Sequence, residues 1–496
     1  MYMKARMTMP RLLLLLAEII VFAILAVVTS SYFGMADGLK ITLSYLIAYV
    51  VPRIVLERSR GNSMTANVIL FLLAAFLMFV GVSNLLEWIS VKGYSLEMPN
   101  LKADARGYYK WALYHYDGRV PHQEVAFPGF PFMMTCMWRL LGVSVIWPLA
   151  MNTMFLLISV VLTGLTTRRL LIHRTSLSST SLVSSGMLLT CILCFYLIMG
   201  ISILKEASVF MSVSMVGFAL TSMSTIDEER HYLWRDIALF IVACLLLAMV
   251  RTTYLYIILI GVVVMALPHW RRDWVVALAM IAIVVAALFV GDHYASYSFD
   301  RHAEIVGGGW NMQRFFLKRG TQQPYQDLMD FYFLYSPLHR LFMLPLTMSL
   351  QFMLPLPWMM PGDDSTIANH VCRITYGWYA IGGIALFYYL FMCWRRTENM
   401  GAWAWWPGLV FIALAYVVAG TANRYLLPIE PLFVPVALFV LDRLREDRWR
   451  KAFRRWAVFF VILAVFALLV GLEIDREVFS RAFHTPPLKD YLHYRI

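Results

Sequence analysis

A few charged residues, set into an otherwise apolar chain, have the side-chain types that a transfer reaction at a membrane surface needs. Asp104 lies in Leu101-Lys-Ala-Asp-Ala-Arg-Gly-Tyr-Tyr-Lys-Trp-Ala112. A carboxylate there can take the proton of an attacking hydroxyl, a contribution of roughly 10²–10⁴-fold. Tyr108 and Tyr109 follow at helical spacing and offer rings and hydroxyls to a bound substrate. The plainer reading of Asp104 is a helix N-cap or a solvated loop acid. Lys205-Glu206 interrupts an apolar stretch running from about Gly186 to Met223, a length sufficient for two membrane crossings. Such a pair either snorkels out of the bilayer or lines a site. In a site, Lys205 would hold a phosphate as a point charge, and Glu206 a metal ion or a sugar hydroxyl. Arg251 and Arg424 both fall at predicted ends of apolar segments. The planar, permanently charged guanidinium suits a phosphodiester. Glu430, six residues past Arg424, is either an internal partner of an arginine or a reacting group.

A second polar stretch carries His302, Glu304, Gly307-Gly308-Gly309, Arg314, Lys318 and Arg319. Glycines give hinges, so a lid that binds an acceptor through His302 and Arg314 is the expectation. Three glycines alone are weak evidence for a phosphate cradle. Asp363-Asp364, after Pro357-Trp-Met-Met-Pro361, reads first as a helix cap. The histidines show no metal-ligand spacing, and no nucleophile elbow, Walker loop or HExxH is present. No cofactor is evident. A divalent ion, Mg2+ or Mn2+, stays open, with Asp104 and Glu206 as its candidate ligands.

The elements that must position these residues are membrane helices. The chain has 496 residues, of which 60% are hydrophobic and only 15% charged. Soluble domains carry about a quarter charged residues, so an all-α polytopic membrane protein is the expectation. About thirteen segments are long and apolar enough to cross. They lie near 12–33, 39–56, 64–86, 143–167, 180–201, 203–222, 236–251, 252–268, 274–291, 372–393, 402–420, 425–441 and 456–472. The net charge of +12 gathers in short connections around Arg53/Arg58, Arg168/Arg169/Arg174, Arg271/Arg272, Arg395/Arg396 and Arg443–Arg455. By the positive-inside rule all of these are cytoplasmic. That leaves two long outer loops, 87–142 and 292–371, and an outer tail, 473–496. Segment 338–360 is apolar but contains Pro345, Pro355 and Pro357, and reads as a re-entrant helix. Anionic-lipid attraction accounts for the basic balance, and no nucleic-acid motif is present.

With Asp104-Ala-Arg-Gly-Tyr-Tyr-Lys-Trp-Ala112, Phe127-Pro-Gly-Phe-Pro131, Lys205-Glu206, Arg251 and Arg424-Tyr-Leu-Leu-Pro-Ile-Glu-Pro431, the chain resembles the GT-C superfamily of membrane glycosyltransferases. The likeness is to the bacterial branch related to protein O-mannosyltransferases and aminoarabinose transferases of lipid A. It covers roughly residues 64–441. Residues 1–63 then form an additional N-terminal hairpin, 64–291 the catalytic core and 372–472 the C-terminal helices. The resemblance implies a polyprenyl-phosphate-linked sugar donor and a lipid, glycan or protein acceptor. It implies transfer on the periplasmic face of a bacterial inner membrane, with the N-terminus cytoplasmic. Asp104 matches the catalytic acid of the first loop. Lys205, Arg251 and Arg424 match basic positions around the lipid phosphate, and Glu206 a second acid. A polysaccharide polymerase or O-antigen ligase, and more distantly a lipid or sugar transporter, remain alternatives. A transporter would place ionisable residues near span midplanes, often in repeats; here they gather at predicted outer ends.

Overall fold

The computed structural model describes residues 9–59, 61–101, 103–119, 129–193, 202–224, 233–294 and 430–455, with 457, 458 and 462. Every regular element among them is a helix. Four helices are long and apolar enough to cross a bilayer by length and composition: α1 (Met9–Phe33), α2 (Met35–Glu57), α3 (Met64–Ile89) and α6 (Ile146–Leu171). Between α3 and α6 lie the short helices α4 (Ala103–Tyr116) and α5 (Gly129–Leu141). Then follow α7 (Ser179–Leu193), α8 (Glu206–Ser224), α9 (Leu233–Arg251), α10 (Thr253–Tyr294) and α11 (Glu430–Arg443).

α1 and α2 form a hairpin because the chain reverses at Gly34, whose φ of 82° is open to glycine at no steric cost. Inside that hairpin the Tyr49 hydroxyl donates to Glu18 Oε1 at 2.5 Å, and Arg53 Nη1 lies 3.2 Å from the same oxygen. A carboxylate on an apolar span needs such partners. The outward face of α1, with Leu12, Leu16, Ile20, Ile24 and Val27, is exposed, as suits a helix facing lipid. α6 is the central helix and packs against α2, α3, α7, α8 and α11. Two of its hydroxyls turn back onto their own helix: Ser159 donates to the Phe155 carbonyl at 2.6 Å and Thr163 to the Ser159 carbonyl at 2.7 Å. These two are thus satisfied internally, as a low-dielectric surrounding demands.

Up-and-down packing sorts the helix ends into two groups. At one end, the Leu96 carbonyl accepts from Val145 N at 2.8 Å. There too Asn152 Nδ2 on α6 donates to the Ser202 and Leu204 carbonyls at 2.7 and 2.9 Å. At the other end, Arg169 Nη1 lies 3.7 Å from Asp236 and donates to the Phe218 carbonyl at 3.0 Å. Ser176 donates to Asp442 at 3.1 Å at the same end. The first end holds α4 and α5; the second holds the arginine clusters of α2, α6 and α11.

The helices follow the predicted spans closely in the first half of the chain and depart from them in two places. Segments 252–268 and 274–291, expected as separate spans joined at Arg271-Arg272, form the single helix α10 of 42 residues. At 1.5 Å per residue it is about 63 Å long, twice the roughly 30 Å hydrocarbon core. Charge marks where a chain meets water and does not by itself end a helix. Pro268 removes one hydrogen bond of the ladder without ending it, and His269-Trp-Arg-Arg-Asp-Trp274 contains no glycine or asparagine to cap it. The second departure is Phe127-Pro-Gly-Phe-Pro131, whose two prolines and glycine predict a turn: from Gly129 onward it is already α5. Pro131 falls in the first helical turn, where its missing N–H has no partner to lose. The expected spans 372–393, 402–420 and 456–472 lie outside the described residues or nearly so, as do the re-entrant segment 338–360 and the tail 473–496.

Candidate active site

The site is assembled from α4, α5 and the end of the bundle beneath them. Asp104 is the second residue of α4, inside its first turn rather than at its cap. A carboxylate there sits at the positive end of the helix dipole. The side chain of Asp104 lies outside the described set. One turn later, Tyr108 is buried, and its ring faces two groups. Phe130 of α5 is 5.8 Å away, centroid to centroid, and Lys205 Nζ is 5.8 Å from the Tyr108 centroid. Tyr109 is used differently. It is 3% exposed, its hydroxyl donates to the Glu97 carbonyl at 2.9 Å, and its ring meets Trp138 at 4.8 Å. Burial pushes its phenol pKa up, so it stays neutral and packs α4 onto α5. Tyr108 is the ring that faces the ammonium.

Lys205 and Glu206 sit where α8 begins, 8% and 4% exposed. Glu206 in the first turn suits the helix dipole, and Lys205 beside it opposes that dipole. An ammonium so placed and so buried needs a partner, and the Tyr108 ring is one. The connection that carries the pair is held from beside it by the two carbonyl hydrogen bonds of Asn152, which is fully buried.

Arg251 is the last residue of α9 and is 8% exposed, its Cζ 5.6 Å from the ring of Tyr254 on α10. α9 and α10 pack against each other across the single turn residue Thr252, whose Oγ1 donates to the Ala248 carbonyl at 3.0 Å. α5 touches α9 at this end so closely that a Cβ on Gly129 would stand 2.3 Å from the Met249 carbonyl oxygen. One helix pair therefore links Arg251 to Tyr108. Through α5 and α9, the arginine is brought to the end of the bundle that carries Lys205 and Glu206.

Among the described residues, no group of three His, Cys, Asp or Glu side chains gathers as a metal site would. Of the candidate metal pair, only Glu206 has a described side chain. Arg424, His302 and Arg314 lie outside the described residues, and Glu430 opens α11 with its side chain likewise outside. Sequence reasoning passed over Asn152, which was findable as the lone amide in its apolar span. It marked Gly129 and Phe130 only as part of Phe127-Pro-Gly-Phe-Pro131 and gave no packing role to them or to Trp138, since that role exists only once α5 has formed. No family model, no curated protein and no solved structure matches this chain.

Proposed function

We propose that this protein is a glycosyltransferase. It moves a sugar from a polyprenyl-phosphate-linked donor to an acceptor hydroxyl at the outer membrane face, and the acceptor is a lipid, a glycan or a protein. The observation that carries this reading is the buried Lys205 against Tyr108, one helical turn after Asp104, at the end of the bundle that also receives Arg251. A carboxylate and two cations at one end of an apolar bundle supply what the reaction needs. The acceptor oxygen attacks the anomeric carbon, the bond from that carbon to the phosphate oxygen breaks, and the acceptor proton passes to Asp104. Lys205 and Arg251, joined by Arg424, stabilise the charge that develops on the departing phosphate. They do this most strongly where water is excluded. With Asp104 alone acting at the acceptor, the reaction is a single displacement with inversion; retention needs a second carboxylate as nucleophile, and Glu206 is the group that would serve. Glu206, in the first turn of α8, would hold a sugar hydroxyl or, with Asp104, a divalent ion such as Mg2+ or Mn2+.

The test is turnover of the host's polyprenyl-phosphate sugars by purified protein, followed by mass spectrometry with host acceptor fractions, with and without chelator. Wild type is expected to consume one lipid-linked sugar. Asp104→Asn is expected to lose roughly 10²–10⁴-fold in rate. If wild type leaves every such donor intact, the transferase reading fails. If Asp104→Asn turns over at the wild-type rate, another group is the base.

A further inference from the structure

A strongly charged exposed patch lies at the end of the bundle opposite the candidate site. α11 ends at Arg443, and after Leu444-Arg445-Glu446 the chain is helical again over 447–455. This second helix is two-faced. Trp449 is 7% exposed, and Ala452 and Phe453 pack with it against the core. Arg448, Arg450, Lys451, Arg454 and Arg455 are all exposed. At 100° per residue the three packed residues cluster on one side and the five cations spread over the other. Over 442–455 there are seven Arg and Lys against three carboxylates, a net charge of +4. The carboxylates are already engaged. Asp442 pairs with Arg445 at 3.7 Å, Glu446 with Arg443 at 3.0 Å, and Asp447 with Arg450 at 3.2 Å. Lys451, Arg454 and Arg455 have no ion-pair partner among the described residues. Arg448 lies over the Trp449 ring at 5.4 Å, held outward by the docked face.

A folded helix that holds its cations outward, with one carboxylate, Asp447, against five of them, is built for an anionic surface. We propose that helix 447–455 docks on the anionic phospholipid headgroups of the leaflet at that end of the bundle. Three facts select lipid over a soluble acidic partner. The helix begins only three residues after α11, which itself packs against the span α6 and the shorter apolar helix α7. With α6 across the bilayer, that tether would hold its cations near the surface, where the attraction of headgroup charge extends over about a Debye length, roughly 8 Å. Exposed Arg58 and Arg11 come to the same end of the bundle and widen the positive rim. Phosphate headgroups attract each such cation, and the attraction is screened by salt. The docked apolar face leaves the cations free of the core, so anionic lipid is held by charge rather than by insertion.

The experiment uses the full chain in bilayers of phosphatidylcholine and phosphatidylglycerol. Electron paramagnetic resonance of spin-labelled lipids reads which headgroup is retained at the protein surface. Wild type is expected to select phosphatidylglycerol over phosphatidylcholine at low ionic strength and to lose most of that selection at high salt. The quadruple variant Arg448→Gln/Lys451→Gln/Arg454→Gln/Arg455→Gln is expected to lower the selection at least about threefold. Where the quadruple variant does not fold, the pair Arg454→Gln/Arg455→Gln, two exposed residues outside every ion pair named above, is read instead. Selection that is unchanged in the substituted protein, or that withstands high salt in wild type, overturns the proposal. Retention of an added acidic soluble protein with no headgroup preference also overturns it, in favour of a protein partner.

Discussion

At the residue scale, the charged positions were legible because ionisable groups are conspicuous in an apolar chain, whereas their surroundings were not. Lys205 and Glu206 could be singled out from sequence, but the Tyr108 ring that faces the lysine could not, since Tyr108 and Tyr109 look alike there. Burial and the hydrogen bond to Glu97 separate them. His115, near the end of α4, shows how such surroundings become measurable. Its ring stacks on Trp111 at 3.8 Å, and its pKa is lowered from 6.5, first by burial and then by the Arg139 charge. A histidine whose folded pKa is depressed binds fewer protons folded than unfolded. Its contribution is therefore complete above pH 6.5 and is lost as pH falls through the folded value. Thermal unfolding of wild type is expected to drop more steeply between pH 7.5 and 5.5 than that of His115→Gln, taken as roughly one pH unit either side of the free-histidine range. Parallel curves for the two proteins would remove His115 from the account.

At the element scale, helices were predictable from apolar runs and their ends were not. α1, α2 and α3 appear where the runs are, because every backbone polar group in a bilayer must find its partner within the segment. α10 continues through Arg271 and Arg272, and α5 begins inside an expected turn, because helix ends depend on local hydrogen bonding more than on charge. α5 also depends on close approach. With Met249 O only 2.3 Å from where a Cβ would be built on Gly129, Gly129→Ala must displace α5 from α9 or distort it. The expected cost is about 1–3 kcal/mol, read as a lower unfolding midpoint in detergent. The proposed transfer activity should fall with it, since the same contact links Tyr108 to Arg251. A Gly129→Ala protein with wild-type stability would show that α5 and α9 are not held together there.

At the scale of the whole molecule, the two ends of the bundle are held by different chemistry. The site end is closed by amide hydrogen bonds from Asn152, the opposite end by the ion pair of Arg169 with Asp236. Asp236 has a side-chain exposure of 7% against 20% for Arg169, so the carboxylate is the more desolvated member. Removing one partner leaves the other in a poor solvent, which is where the energy of such pairs is felt. Asp236→Asn is expected to cost about 1–3 kcal/mol, and Arg169→Gln a similar amount. The double variant should cost less than the two together, because each single change strands a charge that the double change does not. Strict additivity in unfolding measurements would mean that the pair does not couple α6 to α9.

Composition and apolar run length alone determined that this is an all-helical chain with several helices able to span a membrane, and where the first of them lie. Those properties are local: each needs only the solvent preference of consecutive side chains. The same run lengths marked Lys205-Glu206 as an interruption between two apolar segments, since no apolar span tolerates two adjacent charges in its interior, and α8 opens there. Tertiary structure alone decided which aromatic faces the lysine and which merely packs. It also decided that an asparagine on α6 holds the start of α8, and that a glycine lets α5 reach α9. It decided as well that the cations after α11 stand on one face of a docked helix. These are contacts between segments tens to hundreds of residues apart, and they exist only once packing has brought the helices together.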